Sequence, residues 1–112
     1  MKRTILWLAA GLFLTACQQQ QQQQLETAKI NTPSMVCGTC AKNIEKAAYH
    51  VEGVKEVNVD VDQKTVEVRF IPVRTNVGAI EEAISGAGYD ANGRKRNPDA
   101  YEKLEKCCKI DG

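Results

Sequence analysis

Five cysteines carry most of the possible chemistry in this 112-residue chain. Cys37 and Cys40 form one close pair, Cys107 and Cys108 another, and Cys17 stands apart. The run Met35-Val36-Cys37-Gly38-Thr39-Cys40 lies where a strand pattern gives way to a helix pattern, so Cys40 is expected to begin the helix. Unpaired backbone N–H groups and the helix dipole favour negative charge there, which lowers a thiol pKa and supplies the thiolate that a metal needs. Two intervening residues let a loop cysteine and a first-turn cysteine aim their sulfurs at one point. Gly38 is expected to let the loop turn sharply. Two thiolates with no histidine or carboxylate nearby favour soft ions such as Cu(I), and Hg(II) and Ag(I) fit the same argument. A structural zinc site usually takes four ligands, and this motif offers two. A disulfide and half of a zinc site are the other readings of the pair. Neither close pair closes a long loop, so neither would stabilise much by constraining the unfolded chain. Reactivity or metal binding suits the spacing better.

Cys17 has a different setting. Lys2 and Arg3 precede an apolar run from Ile5 to Leu14, followed by Leu14-Thr15-Ala16-Cys17. A basic start, a short apolar stretch and small residues before a cut site read as a secretory signal over residues 1–16. The run is too short to span a bilayer, which needs about 20 apolar residues. The four residues resemble the lipobox of bacterial lipoproteins, which implies cleavage before Cys17 and lipid attachment to its sulfur. Gln18 to Gln24 is an uninterrupted glutamine tract that has nothing to bury. Residues 17–27 therefore read as the lipidated cysteine and a spacer. Gln18 after the lipid cysteine resembles an outer-membrane sorting signal, so a host with two membranes would hold the protein at its outer membrane, facing the periplasm. Removing Lys2 and Arg3 from the 15 basic residues leaves 13, against 14 acidic ones. That balance, without a basic stripe, argues against nucleic acid as a partner.

The elements that must position the first pair follow from periodicity. Ala28 to Pro33 reads as a strand. Ile44, Ala47, Ala48 and Val51 fall at helical spacing, and Gly53 ends that helix. Val57, Val59 and Val61 alternate with polar residues, as do Val66, Val68 and Phe70 after the turn Asp62-Gln63-Lys64, which makes a hairpin. Thr75 or Asn76 can cap a second helix carrying Val77, Ile80, Ile84 and Ala87 on one face. Tyr89 to Asn92 is expected as a last edge strand. Asn97-Pro98 opens a final helix, with Tyr101, Leu104 and Cys108 sharing a face. This order is α+β: a ferredoxin-like βαββαβ sandwich over residues 28–96, with an extra C-terminal helical tail over residues 97–112.

Residues 28 to about 92 resemble a heavy-metal-associated domain. The resemblance rests on Met35-Val36-Cys37-Gly38-Thr39-Cys40, Val51-Glu52-Gly53-Val54, the Val57-Val59-Val61 row, Val66-Glu67-Val68, Ile80, Ile84 and Ala87-Gly88-Tyr89. The family includes copper chaperones, amino-terminal domains of metal-pumping ATPases and the periplasmic mercury-binding protein. The resemblance implies Cys37 and Cys40 as ligands of Cu(I) or Hg(II), with hand-off by thiolate exchange to a metal transporter or other metal-binding protein. It places Met35 beneath the loop as a packing residue and Tyr89 beside the site, where a plain core tyrosine is the alternative. Ser34 departs from the family, which usually has glycine before the methionine.

Three functions follow. The leading one is a monomeric, lipid-anchored metal chaperone or scavenger in the cell envelope, without catalysis. The second is a thiol–disulfide oxidoreductase, since C-x-x-C at a helix start also serves redox enzymes. The third is a structural lipoprotein with two disulfides. Cys107 and Cys108 are expected at the same end of the molecule as Cys37 and Cys40. A helix from Pro98 to Cys107, about 15 Å long, would return the chain there, with one sulfur reaching the site and the other exposed. The alternatives are a helix end whose Cys108 packs in the core while Cys107 is idle, and a strained vicinal disulfide. His50, Glu81-Glu82 and the Lys103–Lys109 charges read as solvated surface.

Overall fold

A computed structural model describes residues 24–110. The signal segment, Cys17 and the glutamines up to Gln23 lie outside the described residues. β1 (Glu26–Asn31) leads through the cysteine loop into α1 (Gly38–Tyr49). The hairpin β2 (Val54–Asp60) and β3 (Thr65–Phe70) follows, then α2 (Val77–Gly86). The tail holds the short helix α3 (Pro98–Glu102) and a 3-10 turn at Lys106–Cys108. β3 is the central strand, antiparallel to β1 on one side and β2 on the other.

The register shows why alternation was a good guide. Ala28 pairs with Val68 and Val57 with Val68, while Ile30 and Val59 both oppose Val66. A period of two puts these residues on one face, where Ile30, Val57, Val66, Val68 and Phe70 are buried with Ile44, Ala48, Ile80 and Ile84 of the helices. The opposite face carries Lys29, Glu67 and Asn58 in one row and Thr27, Arg69 and Glu56 in the next. This is the expected ferredoxin-like arrangement, a sheet covered on one face by two helices.

Some boundaries and one strand differ from expectation. β1 starts at Glu26, inside the residues assigned to the spacer, because Glu26 and Thr27 find partners in Phe70 and Arg69. Of the two candidate caps for α2, Asn76 takes the role, its side chain accepting from the Ala79 N–H at 2.9 Å. Tyr89–Asn92 forms no strand of the sheet among the described residues. Asn92 sits at φ 53°, a left-handed conformation that interrupts a strand. It still docks on the end of β1: its N–H donates to the Asn31 carbonyl at 2.8 Å, and its side-chain oxygen accepts from the Asn31 N–H at 2.8 Å. One side chain thus replaces a rung of the missing ladder. The continuous helix expected from Pro98 to Cys107 is also shorter. Asn97 caps it as expected, accepting from the Ala100 N–H at 3.1 Å, but it stops at Glu102 and the chain is extended at Glu105. So short a helix has little stability of its own, and burial of Leu104 and Cys108 against the core sets the path instead.

Candidate metal centre

Cys37 is the N-cap of α1, in extended conformation at φ −154°, and Gly38 is the first helical residue. Cys40 therefore lies in the first turn, and the helix starts two residues earlier than expected. The role given to Gly38 needs correction. It is not among the positive-φ glycines, and an added Cβ would meet nothing within 4 Å. As the first residue of a regular helix it makes no sharp turn, and a side chain there would enter open space.

The sulfurs converge. Cys37 Sγ lies 3.4 Å from Cys40 Sγ and 3.7 Å from Cys108 Sγ. The three sulfurs all lie within 4.8 Å of one another. Cys40 and Cys108 are fully buried, Cys37 is half-buried, and Cys107 is exposed with its sulfur 3.9 Å from that of Cys108. All four are free thiols. The tail thus brings one member of its pair into the cluster and leaves the other at the surface. It gets there by the break at Glu105 and the 3-10 turn, not by a straight helix.

Cys37 is the activated sulfur. Its pKa falls from 9.0 to about 6, chiefly because the backbone N–H of Cys40 favours the thiolate; partial burial opposes this, and the thiols of Cys107, Cys40 and Cys108 add to it. The sulfur does not meet the geometry of a cap hydrogen bond, and a donor dipole held near it is enough to favour charge. Burial pushes the Cys108 thiol up, Cys40 reinforces this, and the Tyr89 hydroxyl partly offsets it. At neutral pH the thiolate is therefore far more available at Cys37 than at Cys108. A depressed folded pKa means that the stabilisation from the Cys37 thiolate is complete above pH 9 and is lost as pH falls through about 6. Alkylation of the metal-free reduced chain by iodoacetamide, read by peptide mass mapping, is expected to show Cys37 at half its plateau rate near pH 6. A midpoint near 9 would remove the Cys40 N–H as the cause.

The surrounding residues hold the loop. Met35 is fully buried in the core, a packing role that keeps its thioether among apolar neighbours. Tyr89 is fully buried as well, and its hydroxyl accepts from Asn43 of α1 at 3.0 Å. It is both a core residue and a neighbour of the sulfurs, since Cys40 and Cys108 join burial in raising its pKa. Ser34, which the sequence marked only as a departure, is 2% exposed, and its hydroxyl accepts from the Asp90 N–H at 2.9 Å. It ties the cysteine loop to the segment after α2. Its partner is 56 residues away, so only the unusual residue before Met35 hinted at it. His50 is exposed at the far end of α1. Glu81 is more than solvated surface, as it accepts from the Asn92 side chain at 2.6 Å.

Comparison with known proteins agrees with this geometry. The heavy-metal-associated domain family matches residues 29–90. The mercuric transport protein periplasmic component of Alcaligenes is 31% identical over 85 residues, covering 76% of this chain and 93% of that protein. A copper-exporting P-type ATPase of Staphylococcus saprophyticus is 31% identical over 80 residues, which are 71% of this chain but 10% of the ATPase. The crystal structure of oxidized MerP from Ralstonia metallidurans superposes with a TM-score of 0.60 at 30% identity, covering 62% of this chain and 96% of that one. The Cu(I)-loaded N-terminal domain of a potential copper-translocating P-type ATPase from Bacillus subtilis gives a TM-score of 0.59 at 32% identity, covering 62% and 86%. With its two-cysteine loop at the head of α1 and its three-stranded, two-helix body, the chain belongs to the heavy-metal-associated domain family.

Proposed function

We propose that this protein captures a soft metal ion, Cu(I) or Hg(II), on Cys37 and Cys40 and passes it to a partner, as a lipid-anchored metal chaperone or scavenger of the cell envelope. The observation that carries the reading is the pair of free sulfurs 3.4 Å apart at the head of α1, with Cys37 accessible and Cys40 buried. The accessible thiolate meets the ion first, and the buried sulfur completes the grip. Thiolate exchange needs no catalysis: an incoming sulfur bonds to the metal as one of the chain's own sulfurs leaves. Partners of this chemistry are metal transporters and other metal-binding proteins, since the relatives include a mercuric transport component and copper-exporting ATPases. The unit acts as a monomer.

The test is a titration of the reduced chain with Hg(II) or Cu(I) against a competing thiol ligand. The expected result is one tightly bound ion per chain; loss of the ion to a simple monothiol would end the reading. The anchor rests on Leu14-Thr15-Ala16-Cys17. Mass spectrometry of the membrane fraction is expected to find a chain that begins at lipid-bearing Cys17, and a soluble chain that still carries residues 1–16 would count against it.

A further inference from the structure

We propose that Cys108 is the third sulfur ligand of a trigonal soft-metal site with Cys37 and Cys40, so that the tail fills the coordination position an incoming partner thiolate would use. This inference rests on the metal-binding role of the first pair and adds a ligand that lies outside residues 29–90, the region matched by the family.

Sulfur spacing distinguishes the coordination numbers. With metal–sulfur bonds of about 2.3 Å, a linear two-sulfur site holds its sulfurs about 4.6 Å apart and a trigonal one about 4 Å apart. Cys37 stands 3.4 Å from Cys40 and 3.7 Å from Cys108, and the remaining edge is within 4.8 Å. A metal on the first pair alone would have to push those sulfurs, 3.4 Å apart, to a separation more than about 1 Å larger. The three-sulfur site needs shifts of less than about 1 Å on each edge. The tail is also held in place to deliver its sulfur. Gly88 lies against the backbone of Ala100 and Tyr101, and the Tyr101 hydroxyl accepts from the Ile110 N–H at 2.9 Å, just beyond Cys108. Cys108 itself is fully buried, with sulfurs as its neighbours.

Loading converts the Cys108 thiol to a metal-bound thiolate and releases its proton to solvent. Hand-off then runs as an exchange: the partner's thiolate bonds to the metal, the Cys108–metal bond breaks, and Cys108 takes up a proton. The metal keeps its oxidation state throughout. Filling the third position from within slows loss of the ion to small thiols and makes displacement of the tail the step a partner must achieve.

X-ray absorption on the full reduced chain with one equivalent of Cu(I), in a Cys17→Ser background, counts the sulfurs directly. Three are expected in that chain and in Cys107→Ser, and two in Cys108→Ser and Cys108→Ala. Affinity in the Cys108 variants should fall by about 100-fold or more, since even groups supporting a ligand are worth about 10–100-fold. Two sulfurs in the chain with its tail unaltered would overturn the proposal, as would three in Cys108→Ala. That count decides even where a Cys108 variant fails to fold, because Cys107→Ser separates the two tail sulfurs at an exposed position. Absence of bound metal in every chain, or undiminished binding in Cys37→Ser/Cys40→Ser, would instead end the reading of the first pair.

Discussion

Serine at both Cys37 and Cys40 is expected to abolish high-affinity binding of Cu(I) and Hg(II), a loss of about ten-thousandfold or more. The scale comes from thiolate sites in small domains, where about 10–16 kcal/mol is shared among four ligands. Each thiolate then carries roughly 2.5–4 kcal/mol, and every 1.4 kcal/mol is about tenfold. A serine hydroxyl is a hard, neutral oxygen that holds soft ions poorly, so the replacement removes ligands while keeping the size of the side chain. Folding should survive. The buried hydroxyl at position 40 costs about 1–3 kcal/mol if it finds no partner, and the rest of the core is untouched. Competition titration measures the affinity and thermal unfolding checks the fold. A folded double variant that binds within tenfold of the parent chain would show that the metal sits elsewhere.

Gly88→Ala is the second large effect, on stability and on the site together. Gly88 has φ 103°, a conformation that costs an L-residue about 1–2 kcal/mol. It closes α2 in a Schellman motif, with the Gly88 N–H on the Ser85 carbonyl at 3.0 Å and the Tyr89 N–H on the Ile84 carbonyl at 3.3 Å. An added Cβ would lie 3.0 Å from the Tyr101 nitrogen and 3.1 Å from the Ala100 carbonyl carbon. Backbone atoms cannot rotate away, so α3 must shift, at a further cost of about 1–3 kcal/mol. The sum is about 2–5 kcal/mol, a large part of the stability of a small domain. Urea unfolding should show it, and the thiol of Cys108 should become open to alkylation in the folded variant. Unchanged stability with Cys108 still protected would mean that the tail does not rest on this glycine.

The contrast between what could and could not be read from the sequence has a physical pattern. The hairpin was legible because Val57, Val66, Val68 and Phe70 repeat every second residue on a half-buried sheet. Ile44 with Ala48, and Ile80 with Ile84, likewise mark the buried stripes of the helices. The first cysteine pair was legible as a pair at a helix start, since its spacing is local. What escaped depends on contacts between distant parts of the chain. The Ser34–Asp90 bond, the Asn31–Asn92 closure and the approach of α3 to Gly88 have no periodic signature. The same applies to the tail, where a helix pattern through Tyr101, Leu104 and Cys108 yields to the packing that each side chain finds. Gly38 misled for the opposite reason: glycine often marks a turn, and here the position is simply open.

The incomplete ladder beside β1 leaves an edge open to pairing with other chains. Among the described residues β1 has β3 on one side and only Asn92 on the other, at its very end. Among the described residues no other strand pairs with that outer rim, and an unpaired rim is a template on which another extended chain could add. The strand is only six residues long, and Glu26 and Lys29 lie exposed along it. Short length and charge are the usual guards against such growth. The two charges of β1 thus guard its edge, where the valines of the hairpin build the core.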